Sequence, residues 1–138
     1  MSIPTVQAAG RRSPPDWAVR QRHLIAEMDR AAVPFVDHAT RPDGTLIQRS
    51  VWTSMDGTDN GYEAFLSFPL FYLIGGGEHI HELARREWDA ITWQYANYGT
   101  VDREFVTGFD WFHHSESYTY IYYLGMADPD HYIDRERA

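Results

Sequence analysis

The spacing of apolar residues along the chain predicts a helical protein. Residues 1–15 form a leader rich in proline, glycine and small side chains, and over residues 17–36 apolar side chains recur at the spacing of an amphipathic helix. Asp16 follows two prolines and marks the start of this helix, because proline and acidic residues favour a first turn. Pro34 lies inside the pattern, so we expect a kink or an early end near Ala32.

A long loop follows over residues 40–60, where turn-forming glycine and proline recur and residues 45–47 suit a short strand. The next helix, over residues 61–74, is apolar on most sides, which indicates burial. Pro69 should bend this helix in its middle. Three glycines at 75–77 should end it, since they tolerate the backbone of a helix C-cap.

Three more helices follow in the pattern. A third covers residues 78–98, a fourth runs over residues 110–124 and is closed by Gly125, and a fifth opens at Asp128 and Pro129. The third helix has one apolar stripe, formed by Ile80, Leu83, Ala84, Trp88, Ile91 and Tyr95. Charged residues occupy its opposite side, as in a helix that covers a core.

The second half of the chain partly repeats the first. A shift of 51 residues aligns two apolar, aromatic helices, and a one-residue deletion then aligns the glycine turns and the residues after them. The aligned pairs include Phe71 with Tyr122, Leu73 with Leu124, Gly75 with Gly125, His81 with His131, and Arg85 with Arg135. A period near 50 residues is typical of stacked supersecondary units. We therefore expect an all-α fold of antiparallel helical hairpins, with one domain over residues 16–138.

This repeat resembles the helical hairpins of the α/α-toroid proteins, the six-hairpin glycosidase-like and polysaccharide-lyase-like families. The segments that carry the resemblance are Asp56-Gly57-Thr58-Asp59, Phe71-Tyr72-Leu73-Ile74-Gly75-Gly76 and Asp110-Trp111-Phe112-His113-His114-Ser115-Glu116. The resemblance implies an inner ring of apolar helices and an activity on carbohydrate. A full toroid needs about six hairpins and this chain holds roughly two and a half. We expect an N-terminal portion of a larger toroid that lacks its C-terminal portion, a homo-oligomer that completes the ring, or a small helical array.

Composition narrows the classes of partner. The net charge of -8 and the pI near 5.2 oppose binding to nucleic acid and to anionic membranes, which both need clustered cations. No apolar run reaches the ~20 residues that span a bilayer, and no apolar segment of a secretory signal is present. We expect a cytoplasmic protein.

The sequence also lacks the usual cofactor and metal motifs. Without cysteine, the chain has no disulfides and no thiol nucleophile. His79 and His81 are two residues apart and diverge on a helix, and the three glycines lack the lysine of a phosphate-binding loop. We expect no cofactor and no metal ion.

The long loops at residues 40–60 and 100–109 lead into the presumed inner helices, so the binding groups are expected at that end. In the first loop, Asp56 and Glu63 are candidate catalytic carboxylates, because a pair of carboxylates can divide acid and base roles. Asp59 suits both helix capping and substrate binding.

The second candidate cluster begins the fourth helix. His113 and Glu116 share a helix face, as do Asp110 and His114, and a histidine beside a carboxylate is a common proton-transfer pair. We therefore propose His113, His114 and Glu116 as catalytic candidates. Structural histidines remain the alternative. Tyr62 or Tyr118 would be the second acid or base in lyase chemistry.

Aromatic side chains supply candidate platforms for sugar rings, namely Trp52, Tyr62, Trp111 and Tyr118. Most other aromatics follow helical spacing and are expected in the core: Phe65, Phe68, Phe71, Tyr122 and Tyr123. The hypothesis is a glycoside hydrolase or polysaccharide lyase that acts on a saccharide by carboxylate and histidine chemistry. The alternative is a non-catalytic helical binding module or an inactive fragment of a larger toroid.

Overall fold

The structure is a computed structural model that describes residue 10 and residues 12–47, 59–98 and 111–138, with only the backbone of residues 59, 60, 95, 98 and 111–115. The fold is all-α, as predicted. The helices in these ranges are α1 (Asp16–Ala39), α2 (Asp59–Phe65), α3 (Phe68–Leu73), α4 (Glu78–Tyr98), α5 (Trp111–Ala127) and α6 (Tyr132–Arg137). Within the described ranges, no helix has the length and apolar character needed to cross a membrane.

Helix α1 continues through Pro34 to Ala39, so the expected early end near Ala32 is wrong. Pro34 lacks an N–H and leaves the carbonyl of Arg30 without its helical partner. Both residues lie on the exposed side of α1, where water can bind that carbonyl. The helix ends when the backbone N–H and the hydroxyl of Thr40 both donate to the carbonyl of Val36, at 2.8 and 2.9 Å.

Pro69 divides the expected second helix into α2 and α3 instead of bending one helix. It occupies the first turn of α3, where the missing N–H has no helical partner to lose. The glycine stop is confirmed, because Gly75 has φ +121° and ends α3 in the left-handed region.

The second half of the chain departs from the prediction at its glycine. Helix α5 passes through Gly125 and ends at Ala127, so the expected end at Leu124 is wrong. Gly125 has a negative φ and open space around its Cα, and nothing there forces a turn. The residues from Asp128 form a turn, and α6 begins only at Tyr132.

The core lies where α2, α3 and α5 pack against α4. Its fully buried side chains include Phe65, Ile80, Ile91, Tyr120 and Leu124. The hydroxyl of Tyr120 donates to the carbonyl of Ala84 at 2.7 Å, which links α5 to α4. Phe65 and Phe71 are buried as expected, but Tyr122 is 55% exposed, so its assignment to the core is wrong.

The two halves of the repeat occupy different environments. Phe71 is buried whereas its counterpart Tyr122 is exposed, and Leu73 is exposed whereas Leu124 is fully buried. Helices α2 and α3 pack directly on α5, so each half covers the apolar side of the other.

Helix α1 is attached through its C-terminal half. Val36 and Ala39 enter the core, and Phe35 packs on Phe65 with ring centroids 5.6 Å apart. The carboxylate of Asp29 accepts the N–H of Gly77 at 2.6 Å, just before α4 begins. An anionic oxygen is favourable there, because it meets an unpaired N–H at the positive end of the helix.

The segment after α1 turns back onto α4. The expected strand at residues 45–47 is reduced to a single bridge between Thr40 and Leu46. The side-chain amide of Gln94 clamps Leu46, because its Oε1 accepts the N–H at 2.6 Å and its Nε2 donates to the carbonyl at 3.3 Å. Gly44 sits against α4 with φ +83°.

We predict that Gly44→Ala destabilises the protein by about 1–3 kcal/mol, since a side chain is strained in the left-handed region. The added Cβ would also lie 2.8 Å from the Cβ of Ala90. Urea unfolding should show a lower midpoint with an unchanged slope.

The matched control is Gly125→Ala, where nothing lies within 4 Å of the new Cβ. This change inside a helix should stabilise the protein by about 0.5–1 kcal/mol. Equal effects of the two substitutions would contradict the role of Gly44.

Candidate functional site

The predicted site end of the bundle can be located from contacts across α4. The hydroxyls of Tyr62 in α2 and Thr92 in α4 are 2.8 Å apart, whereas Tyr72 of α3 donates to Glu78, at the start of α4, at 3.2 Å. Tyr120 of α5 bonds to Ala84, and Asp128, just after α5, bonds to Arg85 and acts electrostatically on Tyr72 near the start of α4. The segment from α2 to α3 and helix α5 therefore both run antiparallel to α4. We call the end that holds the C-terminus of α4 and the N-termini of α2 and α5 the loop end.

Several predicted site residues are not described at the level of their side chains. Trp52 and Asp56 lie outside the described residues. The backbones of Asp59, Trp111, His113 and His114 lie at the loop end, in the first turns of α2 and α5, but their side chains are outside the described part. Their proposed roles stay predictions.

Tyr62 lies in the core and not on the surface. Its ring packs edge-on against Tyr120, with centroids 6.3 Å apart, and its hydroxyl meets that of Thr92. Burial raises the pKa of Tyr62. A ring in this position packs on protein and presents no face to a sugar, so the expected platform is absent at this residue.

The other predicted residues are accessible to different degrees. Glu63 and Tyr118 are exposed on α2 and α5. Glu116 lies in the first two turns of α5 and is half-buried. Its Oε2 atom has no contact with solvent. A carboxylate in such a position suits acid–base chemistry better than a fully solvated one. These roles also stay predictions.

A groove of about 790 Å³ lies over the outer side of α4, and we call it the α4 groove. Its lining side chains come from the segment after α1, from α4 and from α6: Asp43, Thr45, Arg86, Trp88, Asp89, Ala90, Thr92, Trp93, Ala96, Asn97 and Arg137. The groove extends along α4 to the loop end.

Trp93 lines the groove and is 53% exposed, so it presents an apolar ring there. Asn97 lies one turn further along α4 and donates from Nδ2 to the carbonyl of Trp93 at 2.8 Å. Both residues line the groove, one helical turn apart. Together they offer an apolar face and a hydrogen-bonding edge at the same place.

The charged groups of the groove are largely paired. Arg137 bonds to Asp89 at 2.5 Å and lies over the ring of Trp88, with its guanidinium carbon 4.9 Å from the centroid. The lining contains two arginines and two aspartates, so the groove is close to neutral. Asp43 accepts the hydroxyl and the N–H of Thr45, and these two bonds lower the pKa of Asp43.

Glu87 lies beneath the groove and is fully buried. Burial raises the pKa of Glu87, and the Arg86 guanidinium, which donates to its Oε1 at 2.5 and 2.8 Å, partly opposes this. Gly44 lies close to the carboxylate. Glu87 is therefore a positioning group for Arg86 and does not reach the groove.

A second group of polar residues joins α4 to the turn before α6 and to α6 itself. We call it the Arg85 cluster, and it contains His81, Arg85, Asp128, His131 and Asp134. Arg85 donates to the fully buried Asp134 from Nε and Nη2, at 3.3 Å each, and to Asp128 at 3.1 Å. His131 Nδ1 lies 2.9 Å from Asp134 Oδ2, without the geometry of a hydrogen bond. The guanidinium is thus committed to the protein's own carboxylates.

His81 is the remaining member of this cluster, and it contacts both Arg85 and an aromatic ring. Its Nε2 lies 3.1 Å from Arg85 Nη2 and accepts from it, because a guanidinium has only donors. Its ring stacks on Tyr72, with centroids 4.9 Å apart. Burial is the main cause that lowers the pKa of His81, and the positive charge of Arg85 lowers this pKa further. Burial opposes ionisation of Asp128, but the hydrogen bond and charge of Arg85 outweigh it and lower the pKa of Asp128.

Within the described ranges, no group of three or more histidine and acidic residues is placed to hold a metal ion. The Arg85 cluster was missed as a site from the sequence, although the repeat alignment paired His81 with His131. Both histidines lie in this cluster. The α4 groove had a weaker signal: Trp93 interrupts the charged side of the third predicted helix.

The fold and its groove define an all-α protein of packed helical hairpins with an aromatic, nearly neutral surface groove. Residues 5–138 match a domain of unknown function, DUF8034, and the chain belongs to this family. Comparisons with curated proteins and with solved structures found no match.

We predict that His81 makes stability depend on pH. Because its folded-state pKa is lowered, the unfolded chain binds a proton more readily than the folded protein. The contribution of neutral His81 to the free energy of unfolding is fully present above about pH 6.5, the ordinary pKa of histidine. It is lost as the pH falls below that value. His81→Gln should therefore lose less stability than the wild type between pH 7.5 and 5.5 in urea unfolding.

His23→Gln is the control, since the His23 side chain is largely exposed on α1. It gives the effect of removing a histidine that lies outside the Arg85 cluster. The other members of the Arg85 cluster are retained in both variants, so a His81→Gln curve parallel to the wild type would rule out this role of His81.

Proposed function

We propose that this protein is carbohydrate-active and binds a neutral saccharide in the α4 groove. The observation that carries the proposal is the half-exposed Trp93, which lines the groove together with the amide-bearing Asn97. Sugar rings have an apolar face and a rim of hydroxyls, which match an aromatic face with polar groups at its edge. A volume of about 790 Å³ is in the range of small-ligand sites.

The charges of the groove favour a neutral ligand over an acidic one. Arg137 is occupied by Asp89, and Arg86 by Glu87. Asp43, with its lowered pKa, is ionised at neutral pH and would repel a uronate carboxylate. Between the two reactions considered from the sequence, the proposal therefore favours hydrolysis of a neutral saccharide over elimination from a uronate.

The proposal assigns catalysis to the loop end. Asp56, Glu63 and Glu116 are the carboxylates that would share acid and base roles, with His113 or His114 as a proton-transfer group. Support comes from the position of Glu116 at the end of the bundle to which the α4 groove extends. A cytoplasmic location remains part of the proposal.

Removal of the indole should weaken saccharide binding. Trp93→Ala should raise the Kd for a neutral oligosaccharide about two- to tenfold, because an aromatic contact contributes about 0.5–1.5 kcal/mol beyond burial. Calorimetry with cello-, xylo-, malto- and chito-oligosaccharides would measure this effect.

Tyr122→Ala is the matched control, because Tyr122 is a 55% exposed aromatic residue outside the groove. Its Kd should equal that of the wild type. Absence of binding by the wild type to all four series, or equal losses in both variants, would reject the saccharide proposal.

The catalytic part has a separate test. Glu116→Gln should abolish release of reducing sugar from the oligosaccharide that binds, while the Kd changes little, because the amide has nearly the same shape but cannot transfer a proton. Glu82→Gln, an exposed acid on α4 at the other end of the bundle, is the control. Binding without turnover by the wild type would favour the non-catalytic binding module over the enzyme.

A further inference from the structure

One side of α1 is largely apolar and exposed, although Phe35 at its C-terminal end also packs on Phe65. Its members, which we call the α1 stripe, are Trp17, Gln21, Leu24, Met28, Ala31 and Phe35. Trp17 is 68% and Leu24 58% exposed. The stripe lies beside the residues that face the protein body, Ile25, Ala32 and Val36. The apolar surface of α1 therefore extends from the side that packs on the protein body to a neighbouring side that is exposed to solvent.

The N-terminal half of α1 extends away from the packed core. From Asp16 to Leu24 every residue is exposed except Ala18, whereas the contacts to the body begin near Ile25. Apolar side chains such as Trp17 and Leu24 thus remain in contact with water, and burying them against another surface is favourable. The α1 stripe therefore needs a cover.

The spacing of the stripe indicates what covers it. Its residues are separated alternately by four and three positions, which is the a and d pattern of a coiled coil. Arg20 and Glu27 lie along its outer edge, at equivalent positions of successive heptads. We propose that the α1 stripe binds the α1 stripe of a second copy of this chain, in an antiparallel pair with two-fold symmetry.

The charges favour the antiparallel orientation. In that alignment Met28 packs against the partner's Trp17 and Leu24 against the partner's Gln21. Arg20 then lies beside the partner's Glu27, and symmetry repeats this opposite-charge pair. A parallel alignment would instead place Arg20 beside the partner's Ile25, with no charge to pair.

Both charged residues at the edge of the stripe are exposed and can be reached by a second chain. Arg20 is exposed and has no ion pair with the described residues. Glu27 is half-exposed and is held by Arg30 and His23 on its own helix, which fixes its carboxylate at the edge of the stripe. The partner's Arg20 would join Arg30 at this carboxylate.

The first test is the mass in solution. Light scattering after size exclusion should give twice the 16.0 kDa of one chain, falling towards 16.0 kDa on dilution. Leu24→Asp should give the monomer at all concentrations, with unchanged helix content by circular dichroism. Val33→Asp, on the solvent side of α1 away from the stripe, should leave the dimer intact.

A charge exchange tests the orientation. Arg20→Glu and Glu27→Arg should each weaken the dimer about tenfold, because two attractive pairs become two repulsive ones. An equimolar mixture of these variants should restore the wild-type affinity as a heterodimer, and so should the double variant.

Three results would overturn the proposal. A wild-type monomer at every concentration would show that another segment or another protein covers the stripe. Equal effects of Leu24→Asp and Val33→Asp would place the contact elsewhere. Failure of the mixed single variants to associate would exclude the antiparallel register. None of these results depends on saccharide binding.

Discussion

The buried side of α4 carries polar side chains, and the need to pair them determines what surrounds this helix. His81, Glu87 and Gln94 are all buried on α4. A buried polar group without a partner costs about 1–3 kcal/mol, so each requires a neighbour in a defined place. Gln94 holds the backbone of Leu46, Glu87 holds Arg86, and His81 accepts from Arg85. Hydrophobic packing alone would bring the helices together without setting these positions.

The α4 groove depends on the same pairings. One wall comes from Asp43 and Thr45, whose segment is clamped to α4 through Gln94. Another comes from Arg137, which belongs to a helix that Asp134 attaches to Arg85. The groove therefore lies between two elements that are each held by a buried polar contact. A substitution in the Arg85 cluster would alter the groove by moving α6, although no member of the cluster lines the groove.

Local chemistry accounts for how much of the fold could be predicted. The bounds of α4 followed from the helical spacing of its apolar residues. The end of α3 at Gly75 followed from the need for a residue that can adopt a positive φ. Pro34 and Gly125 misled the prediction because a solvated carbonyl tolerates proline and a helix tolerates glycine where no neighbour forces a turn. Tyr122 was misplaced because apolar residues surround α5, and periodicity cannot say which side is covered. The groove brings together Asp43, Trp93 and Arg137, which are far apart in sequence, and only tertiary packing reveals such a set.

The hydrogen bond between Tyr120 and Ala84 has a spectroscopic consequence. Tyr120 is completely enclosed, and burial raises the pKa of its phenol well above the ordinary value. An ordinary tyrosine becomes a phenolate at pH ~10, whereas the native protein keeps Tyr120 neutral there. The ultraviolet absorbance of the Tyr120 phenolate would then increase only as α5 separates from α4. The chain thus contains its own optical reporter for the opening of its central helix pair.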